Sequence, residues 1–124
     1  MSTLRYAGNF YELGFDHHPS APRIAVWRDR IAIEEKAEIL AYLRAGVMFV
    51  FSPGVDRDFF DQSRLADTRS LVTDGVYIWP AYFAYYVDNY DIGIPEDFEA
   101  HMRACNWTPP DGVDINRLKL PSIG

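Results

Sequence analysis

Cysteine is nearly absent. Cys105 is the single one among 124 residues, so no internal disulfide can form and a reducing compartment, the cytoplasm, is expected. Long hydrophobic runs are missing too. The longest, Val47 to Phe51, falls far short of the roughly 18 residues of a membrane span. The first nine residues, Met1 to Asn9, contain no apolar stretch of signal-peptide length. No repeat, low-complexity tract or interdomain linker interrupts the chain. With 48% hydrophobic and 24% charged residues the composition is that of a globular protein, which excludes disorder. The length fits one domain over residues 1–124.

Signatures of chemistry are equally scarce. No Cys-x-x-Cys, His-x-x-x-His or His-Glu-x-x-His spacing occurs, so no metal is expected. Ser52-Pro53-Gly54-Val55 has one glycine and no following Gly-Lys-Ser/Thr, so it is no phosphate loop, and no cofactor is expected. His17 and His18 are adjacent and would point to opposite faces of a strand. His101 and Cys105 stand four apart on a predicted helix. That spacing allows a Cys–His nucleophile pair, but a core thiol beside a partly exposed imidazole is the favoured reading.

Positive charge is in short supply. Eighteen acidic residues face twelve basic ones, ten of which are arginine, for a net charge of −6. The imbalance is local: Asp74 to Asp114 carries eight acidic residues against Arg103 alone. Such a chain repels nucleic acid and anionic membranes, so neither is an expected partner. A concentrated acidic patch speeds association with a basic partner, although solubility alone also accounts for it. Around Phe59-Phe60, Arg57, Arg64 and Arg69 alternate with Asp56, Asp58, Asp61 and Asp67 and read as surface ion pairs.

Periodicity predicts an α+β fold, with a small, mainly antiparallel sheet packed by three helices. Residues 1–22 read as irregular with room for one strand, and Arg23 to Arg28 as a short strand. Good helix formers and an apolar stripe place a helix over 31–45, with Gly46 able to take positive φ after it. Val47 to Phe51 reads as a strand buried on both faces. Residues 55–69 read as a loop with one helical turn. Asp74-Gly75 between β-rich segments predicts a type I′ hairpin over 70–79. Pro80 opens a helix over 80–91 whose aromatics cover a broad arc, so it is nearly sunk in the core, as is Trp79. Pro95 opens a third helix over 95–105, and residues 111–124 read as an extended tail.

The tyrosines carry the functional expectation. Tyrosine is enriched at interfaces because it joins a large apolar body to a polar tip. Tyr82 and Tyr90 are the candidate anchors, with Tyr86 and Phe83 assigned to the core.

The stretch Thr73-Asp74-Gly75-Val76-Tyr77-Ile78-Trp79-Pro80-Ala81-Tyr82-Phe83-Ala84-Tyr85-Tyr86-Val87, followed by Ile94-Pro95-Glu96-Asp97-Phe98, is similar to a group of small bacterial proteins. Leu40-Ala41-Tyr42-Leu43-Arg44-Ala45-Gly46 resembles the same group's helix–glycine–strand passage. Some members resemble immunity proteins of contact-dependent or polymorphic toxin systems. The resemblance, over about residues 33–107, implies a protein without catalysis that binds and occludes a cognate toxin domain. Many such toxins are nucleases with basic surfaces. The expected contacts are therefore Asp88, Asp91, Glu96, Asp97 and Glu99, with Tyr82 and Tyr90 as anchors. Two alternatives remain at this level: a small enzyme or ligand binder using His17, His18 or His101, and a subunit that self-associates through the aromatic helix.

Overall fold

The computed structural model describes residues 2–13 and 19–121. The fold is α+β, as the periodicity predicts. Its central sheet has the order β2-β7-β6-β3, formed by Arg5–Tyr6 (β2), Val47–Val50 (β3), Leu71–Thr73 (β6) and Tyr77–Pro80 (β7). β6 runs antiparallel to both β7 and β3, while β2 joins β7 in parallel. Against this sheet pack α2 (Lys36–Arg44), α3 (Tyr82–Tyr90) and α4 (Glu96–Ala104).

The core is aromatic. Trp79, Tyr42, Tyr82, Tyr86, Phe83 and Phe98 are all less than 2% exposed. Burying an aromatic ring removes a large apolar area from water, and the indole N–H of Trp79 is satisfied by the Leu43 carbonyl at 3.1 Å. α3 buries Tyr82, Phe83, Ala84, Tyr86 and Val87, leaving Asp88 and Asn89 to solvent. It ends at Asp91, which takes a left-handed conformation with φ 53°. Gly93, two residues on, serves a different need. A side chain there would meet Arg30 Cβ at 2.9 Å and the Trp27 ring at 3.0 Å.

Six local expectations are corrected. Ile24–Trp27 is one helical turn (α1) rather than a strand. The Glu12 carboxylate accepts from the amides of Ile24 at 2.9 Å and Ala25 at 3.2 Å, so a remote cap overrides β-branched propensity. The turn at Asp74-Gly75 is not type I′. Positive φ occurs at Gly75 alone, and Asp74 instead accepts from the amides of Val76 and Tyr77. Gly46 does not take positive φ. It is there for space, because a Cβ would collide with Val72 and come within 2.8 Å of Trp79.

Residues 55–69, read as a loop, form a hairpin of Val55–Arg57 (β4) and Leu65–Thr68 (β5). The tail is not free: Leu118–Lys119 (β8) pairs in parallel with Ser2–Thr3 (β1), and the Leu4 amide donates to the Lys119 carbonyl at 2.8 Å. β3 is likewise not buried on both faces. It is the last strand of the sheet, and Val47, Met48 and Val50 are 40–47% exposed. An all-apolar run reads the same whether its strand is central or at an edge.

Candidate functional site

The nominated carboxylates do not form a bare acidic face. Cations from the N-terminal half fold back across α3 and α4. Asp88 pairs with Arg44 at 3.3 Å. Asp91 receives the Lys36 ammonium at 2.6 Å, and the same group donates to the Asp88 carbonyl at 2.9 Å. Asp97 accepts from the Tyr77 hydroxyl at 3.2 Å and lies 4.0 Å from the Arg5 guanidinium. Glu99 shares Arg103 with Glu35, at 2.9 and 2.7 Å. Burial and the neighbouring Glu35 raise the Glu99 pKa, while the Arg103 hydrogen bond lowers that of Glu35. Of the five, Glu96 alone has no ion-pair partner among the described residues. Charge counted along the chain does not see partners that arrive from dozens of residues away.

The two candidate anchors are also engaged internally. Tyr82 is 1% exposed and belongs to the core, which corrects its assignment as a surface anchor. Tyr90 is half-buried, its ring 4.6 Å from that of Phe60 and beneath the Arg28 guanidinium. Its hydroxyl donates to Asp58 at 2.6 Å.

Asp58, which the sequence reading treated as a surface ion-pair partner, is instead fully buried. One carboxylate oxygen accepts from Tyr85 and Tyr90, both at 2.6 Å; the other accepts from the amides of Phe60 at 2.7 Å and Asp61 at 3.1 Å. Burial alone would raise its pKa, but the tyrosine hydroxyls and the two amides together hold it below the usual carboxylate range. The reciprocal effect, with burial leading, pushes Tyr85 up to about 12. This hub ties the β4–β5 hairpin to α3.

A second buried carboxylate, Asp74, gathers the residues that most resemble a catalytic group. It accepts from Tyr42 at 2.5 Å and lies 3.2 Å from Nε2 of His101. Burial, followed by the Asp74 hydrogen bond, drives the Tyr42 pKa well above its ordinary value. The Cys105 thiol is 3.9 Å from the same Nε2. A nucleophile relay needs the carboxylate on one ring nitrogen and the thiol on the other. Here both meet one nitrogen, so this geometry supports a polar lock between α4 and the 74–77 turn. His17 and His18 lie outside the described residues. Among those residues no three His, Cys, Asp or Glu side chains are grouped to hold a metal ion, and no helix is long and apolar enough to cross a membrane.

The feature that linear reading missed is the edge of β3. Val47, Met48, Val50 and Phe51 are exposed there, Phe51 at 71%, and Leu65 of β5 is exposed at 59%. No charge occurs from Gly46 to Ser52; a register shift between Met48 and Val50, with Pro53 just beyond, is what guards the edge. Beside it runs a groove of about 360 Å3 between β3, β5 and α3, with Met48 and Tyr85 lining its sides and small residues, Ala66, Ala81 and Ala84, also contributing. Asp67 and the Asp88–Arg44 pair line it too. The sequence signal is five consecutive apolar residues ended by Ser-Pro-Gly, a pattern that reads as burial where exposure holds.

No family model matches the chain, and no curated protein or solved structure matches it either.

Proposed function

We propose that the protein is an immunity-type inhibitor without catalysis of its own, which binds a cognate toxin domain of basic surface and occludes it in the cytoplasm. The observation that carries this reading is the uncharged, apolar edge of β3 with its adjoining groove. Exposed apolar surface rimmed by polar groups is characteristic of protein-binding sites, and an unpaired strand edge offers main-chain hydrogen bonds as well. Basic character in the partner follows from the net charge of −6 and from carboxylates left without an ion pair among the described residues, of which Asp67 lines the groove. The contact set is accordingly revised. Asp88, Asp91, Asp97 and Glu99 reach a partner only by exchanging their present cations, whereas Glu96 is available as it stands.

The test is co-expression with the product of the adjoining gene, followed by affinity measurement on Val50→Lys and Phe51→Asp. Both positions are exposed, so the fold should survive, as circular dichroism would verify. The reading expects each to weaken the complex by about tenfold or more, the scale of a central interface residue. Wild-type affinity in both variants, or a stable homodimer that the same substitutions dissolve, would refute it in favour of another surface or of self-association.

A further inference from the structure

A separate cleft of about 280 Å3 lies where the 3-10 turn at Tyr11–Leu13, the β4–β5 hairpin and α3 meet. Tyr82 lines it. Its hydroxyl is buried and has no hydrogen-bond partner, the one such side-chain atom among the described residues. A buried hydroxyl without a partner costs stability, which is why nearly all are satisfied. Tyr86 also lines the cleft; its oxygen accepts from the Phe59 amide at 2.9 Å, which leaves the hydroxyl proton with no acceptor among the described residues.

The charged groups of the cleft are asymmetric in what they still need. Asp56 is taken by Arg69 at 2.6 Å, and Glu12 caps the α1 amides. Three of these four carboxylate oxygens are thereby engaged, and Asp56 Oδ1 and the Gln62 amide oxygen are the acceptors left. Arg69 spends Nε on Asp56 and one terminal nitrogen on the Leu13 carbonyl, while Arg57 gives one to the Gln62 carbonyl. A guanidinium has five N–H donors, so most of theirs remain open, and Arg57 has no carboxylate partner among the described residues. Unused donors therefore outnumber unused acceptors here.

We propose that this cleft binds a small carboxylate, held by the Tyr82 hydroxyl and the Arg57 and Arg69 guanidinium groups. Donors in a planar fork match a carboxylate, and the volume suits a small organic acid. A monoanion suits the site better than phosphate. Glu12 and Asp56 share the cleft with the two arginines, so it carries no net positive charge and each further negative charge on a ligand costs more. The inference is independent of partner binding at β3.

The test titrates acetate and propionate into the isotopically labelled protein and follows the amide resonances of Leu13, Arg57 and Tyr82. Acetamide and inorganic phosphate are the controls, and a blocked peptide bearing one glutamate is a further arm. Saturable shifts with a carboxylate at up to tens of millimolar, absent with acetamide, are expected. Tyr82→Phe should melt no lower than wild type, since it removes only the unpaired oxygen, yet bind about tenfold more weakly. Arg57→Gln, at an exposed position, gives the same readout should Tyr82→Phe fail to fold. Tighter binding of the peptide than of propionate would identify a side-chain carboxylate as the source, and the reverse a free acid. Absent shifts, undiminished binding by Tyr82→Phe and Arg57→Gln, or phosphate binding more tightly than every carboxylate would overturn the proposal.

Discussion

Replacing Asp58 by alanine should be among the most damaging single changes available. The carboxylate accepts four hydrogen bonds, two from hydroxyls at 2.6 Å and two from amides at 2.7 and 3.1 Å. A hydrogen bond to a charged group contributes about 1.5–3 kcal/mol net, but the four act as one network and do not add. In Asp58→Ala the half-buried Tyr85 and Tyr90 hydroxyls can turn toward water, which offsets part of the loss. The amides of Phe60 and Asp61 lose their acceptor. A net cost of about 3–4 kcal/mol is expected, within the range for removing one partner of a buried charged network. Asp58→Asn keeps an acceptor oxygen and should cost about half as much.

The pH dependence gives an independent check. The folded carboxyl titrates below its unfolded value, so its contribution is complete above about pH 5 and is lost as pH falls through the folded pKa. The gap in unfolding free energy between wild type and Asp58→Asn should therefore narrow from pH 6 to pH 3. Urea melts at several pH values measure it. An Asp58→Ala cost under about 1 kcal/mol, or a gap that widens in acid, would refute the role of the hub.

Two further outcomes follow from the core. Gly46→Ala should destabilise by about 1–3 kcal/mol, because its methyl enters space held by Val72 and Trp79; thermal melts check this. Tyr42→Phe should cost about 1.5–3 kcal/mol, since it strips the 2.5 Å donor from buried Asp74. Because the folded Tyr42 pKa is raised, that difference should be complete below about pH 10 and shrink above it, as urea melts in alkaline buffer would show.

Elements with strong internal periodicity were legible in the sequence: α2, α3, α4 and the β6–β7 pairing each satisfy a local pattern. Those decided by a remote partner were not. α1 depends on Glu12, the β4–β5 hairpin on Asp58 reaching across to α3, and β8 on a parallel partner at the other end of the chain. Charge patterning along the chain misleads for the same physical reason. Eight acidic residues in one segment look like a face until Arg5, Lys36 and Arg44 return to pair with Asp97, Asp91 and Asp88. Asp58 did carry a local sign, since an aspartate whose side chain caps the amides two and three residues on is a common turn former. The exposure of β3 had none, because strand order is a property of the whole fold.

Hydrogen exchange of the complex with the adjoining gene's product tests the central claim most directly. Slowed exchange at the amides of Met48 to Phe51 on complex formation is the predicted result. Unchanged exchange there, with protection confined to Glu96 to Glu99, would contradict it.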